Sequence, residues 1–249
     1  MVNSPVAGQV IDFDIFGTRT EADEILPMGA LLDTSNGRDV YRHGKVGASN
    51  ISKGKLQLAP APVANHMGLV LVTDQAIGDK SVTATLGGTA ATLNQYAEGK
   101  LVINAGTGLG QTLSISGHPA QATTTGNLTV KLFERLIAAI DNADSKVTLV
   151  HNTYNGLVEA ASKTRTAAGV ALVSLLAGDY GFVKTKGIIG TLIGSAATLG
   201  GRLTSDGSTA GAVTDNTDVT TVQTEVEVGQ ASVVAGVTAE YNPIMVSID

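Results

Sequence analysis

The stretch GKLVINAGTGLGQTLSISG, residues 99–117, decides the fold. If Gly106, Gly108 and Gly110 after an apolar run opened a dinucleotide-binding unit, the chain would be an α/β protein. That motif needs G-x-G-x-x-G and a helix directly behind it, so that the first helical amides face a pyrophosphate. Here the spacing is G-x-G-x-G, and the next run, QTLSIS, alternates apolar and polar residues. Period two belongs to a strand with one buried face. The glycines therefore read as the turn of a hairpin, and no G-x-x-x-x-G-K-[ST] loop occurs elsewhere.

The same texture extends to both sides. GLVLVTD, KSVTATLGG, GKLVINAG, GQTLSISG and NLTVKLF are short runs between turn signals, and in SVTATL the residues Val82, Ala84 and Leu86 share one face. Strands at such spacing predict a sandwich or barrel over 68–154. LFERLIAAIDNAD, 132–144, departs from the pattern: Leu132, Leu136 and Ile140 recur at four-residue spacing. It reads either as one amphipathic helix or as a strand and loop leading to the strand KVTLVHN at 146–152.

Further out, Asn36-Gly37 before Val40-Tyr41 predicts a hairpin over 34–49. From 155 onward GVALVSLL, DYGFVKT, GIIGTLI and YNPIMVSID form a second β-unit, with a turn expected at Gly187. LTSDGSTAGAVTDNTD, 203–218, reads as an exposed hairpin or long loop. The expected fold class is mainly β: two β-sandwich or β-barrel-like units, at most one or two short helices, and an extended N-terminal arm. The expected division is an arm at 1–30, one unit from 31–67 plus 155–249, and an inserted unit at 68–154.

Composition narrows the function. Thirty glycines and six prolines in 249 residues mean that glycine makes the turns. Charged residues are 15%, against an ordinary ~25%. The surface is thus covered largely by Thr, Ser, Asn, Gly and Ala, and such a surface needs little desolvation on subunit contact. A net charge of -6 argues against nucleic-acid binding, which relies on Lys and Arg against phosphates. Zero cysteines exclude disulfides, thiolate metal sites and thiol nucleophiles. No apolar run approaches a membrane span and no signal peptide is visible, so synthesis in a cytoplasm is expected.

Candidate chemistry is sparse. His43, His66, His118 and His151 stand singly, without H-x-x-x-H or H-x-H spacing, and read as surface or rim histidines. No G-x-S-x-G elbow is present. Ser114 and Ser116 share one strand face, where hydroxyls serve solubility or cross-strand pairing. Glu225 and Glu227 also share a face, more the solvated side of a strand than a pair of catalytic acids. Asp206, Asp215 and Asp218 lack a calcium-loop frame. With no Trp, five Tyr and four Phe, the chain is poor in sugar-stacking aromatics. No catalytic residue, metal or cofactor is expected.

The phrases GRDVYRHGKVGASNISKGKLQLAPAPVANH, KLVINAGTGLGQTLSISGHPA, SKVTLVHNTYNGLV, AGDYGFVKTKG and EYNPIMVSID resemble, in that order, capsid decoration (cement) proteins of marine and environmental tailed phages. The resemblance covers roughly 30–249 and rests on whole phrases, not on a catalytic signature. It implies a non-enzymatic virion protein on the capsid surface, partnered by the major capsid protein and by itself as a homotrimer, that clamps neighbouring capsomers. The alternative is a head-fibre or tail-associated adhesin that binds host glycans. Candidate contacts are Asp12, Phe13, Phe16 and Arg19 on the arm, expected to lie along the capsid or a neighbouring subunit, and Lys184 and Lys186, expected to meet an acidic neighbour.

Overall fold

The computed structural model describes residues 14–20, 26–34, 36–195, 197–216, 226–232 and 239–249. Among them there are sixteen strands, one 3-10 turn at Ala64–His66 and no α-helix. The chain divides into two compact units, one from residues 1–60 and 156–249, the other from 61–155.

The inserted unit is a nearly closed antiparallel barrel of six strands: β4 (Leu69–Val70), β5 (Ser81–Thr85), β6 (Lys100–Ala105), β7 (Thr112–Gly117), β8 (Asn127–Leu132) and β9 (Lys146–Val150). Their order is β4-β9-β6-β7-β8-β5. A bridge between Leu71 and Ala84 brings β4 back to β5. Strand β9 lying beside β6, after the meander β6-β7-β8, is a Greek-key arrangement. Closure removes free edges. The alternating apolar set, with Val82, Leu101, Ile103, Ile115, Leu128 and Val147, points inward and fills the interior as one cluster.

The glycine turn closes the β6–β7 hairpin as its spacing predicts. Gly106, Gly108 and Gly110 all have left-handed φ, at 74°, 78° and 91°. A Cβ on Gly106 would collide with the Asp144 backbone, and one on Gly108 with the Ala139 carbonyl. The loop amides face protein: Thr107 N donates to the Asp144 carboxylate and Gly110 N to the Ile103 carbonyl.

Residues 132–146 take the strand-and-loop alternative. Their amides are claimed by neighbours: Phe133 N by Ser114 O, Leu136 N by Asp79 O, Ile140 N by Gln75 O, and both Ile137 N and Ala138 N by the Gln111 side chain. Leu132, Leu136 and Ile140 are all buried, so the four-residue spacing marks the last residue of β8 and two loop side chains that cap the barrel core. Tertiary bonds here override a helical period.

The barrel has two dissimilar ends. One carries the 105–112 turn and the 73–80 and 133–145 loops, and all four aspartates of 61–155 (Asp74, Asp79, Asp141 and Asp144) lie there. The chain enters through 61–66 and leaves through 151–155 at the other end.

The second unit is a ten-stranded antiparallel sheet. Its order is β1 (Leu31–Asp33), β2 (Val40–Val46), β12 (Tyr180–Leu192), β16 (Tyr241–Ser247), β15 (Glu227–Ala231), β13 (Arg202–Ser205) and β14 (Val213–Asp215). Off this path β10 (Asn155–Leu157) pairs with β2, and β11 (Ala167–Ala171) pairs with both β12 and β3 (Leu56–Leu58). The main core gathers Leu56, Leu58, Val170, Leu203, Val228, Ile244 and Val246. At the neck, where the chain leaves this unit after residue 60 and returns at residue 156, Leu58 and Val158 exchange backbone hydrogen bonds, and the Pro60 ring lies beside Gly156.

Two sequence expectations are corrected here. Strand β12 does not turn at Gly187 but runs through it for thirteen residues, pairing with β2 over its first half and β16 over its second. The register shifts between Lys184 and Lys186, a bulge that the left-handed Gly187 (φ 106°) relieves. Residues 203–216 do form a hairpin, β13 with β14, yet its strands are not exposed: Leu203, Thr204, Ser205 and Val213 are buried, as is Asp206 just beyond β13, and residues 217 and 218 lie outside the described ones. Burial raises the Asp206 pKa, but donors from Ser208 and Thr209 outweigh it and hold the carboxyl below its ordinary value.

The expected arm is in part a lining of this unit. Arg19 exchanges both backbone bonds with Tyr180, and Ile15 and Leu26 pack on Leu32, Tyr41 and Phe182.

Candidate functional site

The most concentrated chemistry lies where the chain enters and leaves the barrel. His66 ends the 3-10 turn, His118 follows β7, and His151 follows β9. Strands β7 and β9 flank β6 on either side and both run antiparallel to it, so they finish at the same end. Three of the chain's four histidines therefore meet around Tyr96, which is 0% exposed. Ring centroids of His66, His118 and His151 lie 5.6, 5.7 and 4.4 Å from that of Tyr96.

Hydrogen bonds fix the protons. Tyr96 N donates to His118 Nε2 at 3.0 Å, so that nitrogen carries no proton, and His118 Nδ1 donates to the Pro119 carbonyl at 2.9 Å. His66 Nε2 donates to the Thr89 carbonyl at 2.8 Å, which leaves Nδ1 to accept the Tyr96 hydroxyl at 2.6 Å. Both ring nitrogens of His151 are closed off from solvent, without a hydrogen bond of good geometry. Burial lowers the pKa of His118 and of His151 and outweighs the opposing backbone hydrogen bonds, and neighbouring imidazoles add a smaller lowering. Burial raises the Tyr96 phenol well above its ordinary value. Tyr96, His66 and His118 thus form one hydrogen-bonded network with His151 packed on the Tyr96 ring, and no three metal-ligating side chains converge as a set among the described residues.

Beside it an open groove of about 540 Å³ is lined by Leu93, Asn94, Ser116, Gly117, His118, Pro119, Thr129 and Lys131. His118 belongs to both features: its imidazole faces Tyr96 while its flank forms groove wall. On the other unit a smaller hollow of about 280 Å³ has Lys53, Leu172, Ile189 and Tyr241 among its walls.

The fourth histidine, His43, is buried in the sheet unit, stacked on Tyr180 at 5.7 Å and tilted against Phe182 at 5.5 Å. The reading of all four histidines as surface or rim groups is corrected for three: His43, His66 and His118 are buried, and His151 is half-buried. The cluster escaped sequence reading because its members are separated by tens of residues. The usable signal was that His118 and His151 each follow directly on a strand.

The residues singled out as contacts are not gathered into one place. Asp12 and Phe13 lie outside the described residues. Phe16 is exposed, and Arg19 is stitched to Tyr180. Lys186 is exposed, whereas Lys184 is only 6% exposed. Its ammonium is held by Asp39 and the Ile188 carbonyl and lies over the Tyr41 ring, so it meets its acidic neighbour within the same unit. The bulge places the two lysines in different environments.

Of the acids, Glu225 and Asp218 lie outside the described residues, Glu227 is exposed near Arg202, and Asp215 accepts from Thr198 N. Ser114 accepts from Lys100 across the β6–β7 pair. Large apolar side chains are exposed on both units. Ile77 (68%), Leu109 (66%) and Ile137 (77%) stand on loops laced together at the aspartate end of the barrel. Ile188 and Met245 face each other across β12 and β16, in line with the exposed Pro243 and Tyr241. No family model, no curated protein and no solved structure matches this chain.

Proposed function

We propose that the chain is a non-enzymatic structural protein of a tailed-phage virion. It binds the outer surface of the assembled capsid, partnered by the major capsid protein, and clamps neighbouring capsomers against the outward pressure of packaged DNA. The carrying observation is that each unit exposes its own group of large apolar side chains, Ile77, Leu109 and Ile137 on one and Ile188, Met245 and Tyr241 on the other. Single exposed apolar residues are ordinary, but grouped ones favour a protein contact. Two contact groups on one chain can hold two neighbours, and repetition over a shell turns modest contacts into avidity. A homotrimer would add closed symmetry to that repetition. The low charge of the surface and the phrase-level resemblance to decoration proteins support the same reading. Phe16 and Lys186, both exposed, suit it as contact residues.

Quantitative mass spectrometry of purified particles tests this. The expected result is hundreds of copies per virion, released by a mild chaotropic wash with a fall in particle heat stability. Absence from virions, or release without loss of particle stability, would overturn it. A few copies per particle would favour the glycan-binding adhesin.

A further inference from the structure

We infer that the histidine–tyrosine cluster is a proton-operated latch that holds the segment 92–99 against the end of the barrel and releases it on acidification. The segment is strained. Asn94 and Glu98 are not glycines, yet they take left-handed φ of 53° and 59° on either side of Tyr96. Backbone in that region persists only where surrounding contacts over-determine it. Beside others from Ile115, Asn152 and Asn155, three of those contacts go to His118. Its main chain exchanges hydrogen bonds with Asn94, from Asn94 N to the His118 carbonyl and from His118 N to Asn94 Oδ1. Its Nε2 accepts the Tyr96 amide. The Tyr96 ring is clasped by His66 and His151.

A proton acts directly on this grip. His118 Nε2 can accept the Tyr96 amide only while bare; once protonated it presents a donor to a donor, and the bond is lost. Lowering the pH thereby sets two repulsions in the cluster, N–H against N–H and, once a second ring is protonated, imidazolium against imidazolium. The ionisable groups around it are Tyr96, the three imidazoles, Lys131 across the groove and Glu98 on the segment. The charges felt by His118 and His151 are those of other imidazoles, so each proton taken up presses the cluster further apart. Leu93 and Asn94 also line the 540 Å³ groove, so release of the segment remodels that groove.

Hydrogen exchange on the full chain tests the latch, with rates corrected for the intrinsic effect of pH. Between about pH 7.5 and about pH 5, amides of 92–99 should lose protection by about tenfold more than those of β6 and β9. In His118→Gln, which keeps an acceptor but does not titrate, the difference should shrink to about twofold or less. An equal loss in His118→Gln, or no selective loss in the wild type, would overturn the latch. Should the variant not fold, imidazole NMR signals of the wild type decide. Two or more should titrate below the ordinary value together with a shift of the Tyr96 ring signals, and four independent ordinary titrations would overturn it.

Discussion

At the scale of single residues, Tyr96 and Lys184 show how a low-charge protein uses its few ionisable groups internally. Tyr96→Phe keeps the ring but leaves His66 Nδ1 without its donor. Unfolding by urea should show a loss of about 1–3 kcal/mol. Lys184 is buried and depends on Asp39, which is itself about a third exposed on its side chain. Asp39→Ala should therefore cost about 1–3 kcal/mol, less than a fully buried pair. Replacing both partners, as Lys184→Met with Asp39→Leu, should recover most of that loss in the same denaturation series. A cost equal to that of the single change would show that the pair, not the orphaned ammonium, matters. Sequence reading singled out Lys184 as a contact with an acidic neighbour on the capsid or another subunit, whereas the acid it meets in the structure, Asp39, belongs to its own unit. That contact joins residues 145 positions apart through the β2–β12 register.

At the scale of elements, period-two alternation was legible wherever a strand has one wet face. Strands β5 to β9 fall where SVTATL, KLVINA, TLSISG, NLTVKL and KVTLV alternate, each with inward residues buried. It failed where both faces are covered. In β12 residues 180–185 are all buried, so nothing in the pattern distinguishes a bulge from a turn at Gly187. The 132–144 loop misleads for the opposite reason, because a barrel cap reproduces helical spacing without helical bonds. Gly187→Ala tests the bulge. A Cβ there meets the Asp39 carboxylate and the Arg38 carbonyl, on a left-handed backbone. The loss should be about 2 kcal/mol or more by thermal or chemical unfolding. A neutral result would mean that β12 can carry the extra residue elsewhere.

At the scale of the whole molecule, stability should depend on pH in the acid direction. Burial, first of all, lowers the pKa of His43, His118 and His151 from 6.5. The unfolded chain therefore takes up protons that the folded one refuses. This contribution is complete above 6.5 and is lost as the pH falls from there toward the folded values, at up to about 1.4 kcal/mol per pH unit for each histidine. The melting temperature should fall between about pH 7 and about pH 5, and a flat profile would contradict the burial of these rings. Ile77→Ser with Ile137→Ser should by contrast leave stability within about 0.5 kcal/mol, both side chains being exposed. On the proposed function it should weaken binding to stripped capsids. Fold class was thus readable from local pattern, whereas the histidine cluster, which exists only through strand register, was not. The neck carries its own consequence. Pro60 and Gly156 lie side by side, and Leu58 and Val158 are already paired behind them. The barrel is thus a removable cassette: its 95 residues could be excised and the ends rejoined by a short link, and by the same route such a protein could trade one inserted module for another while its sheet unit stays unchanged.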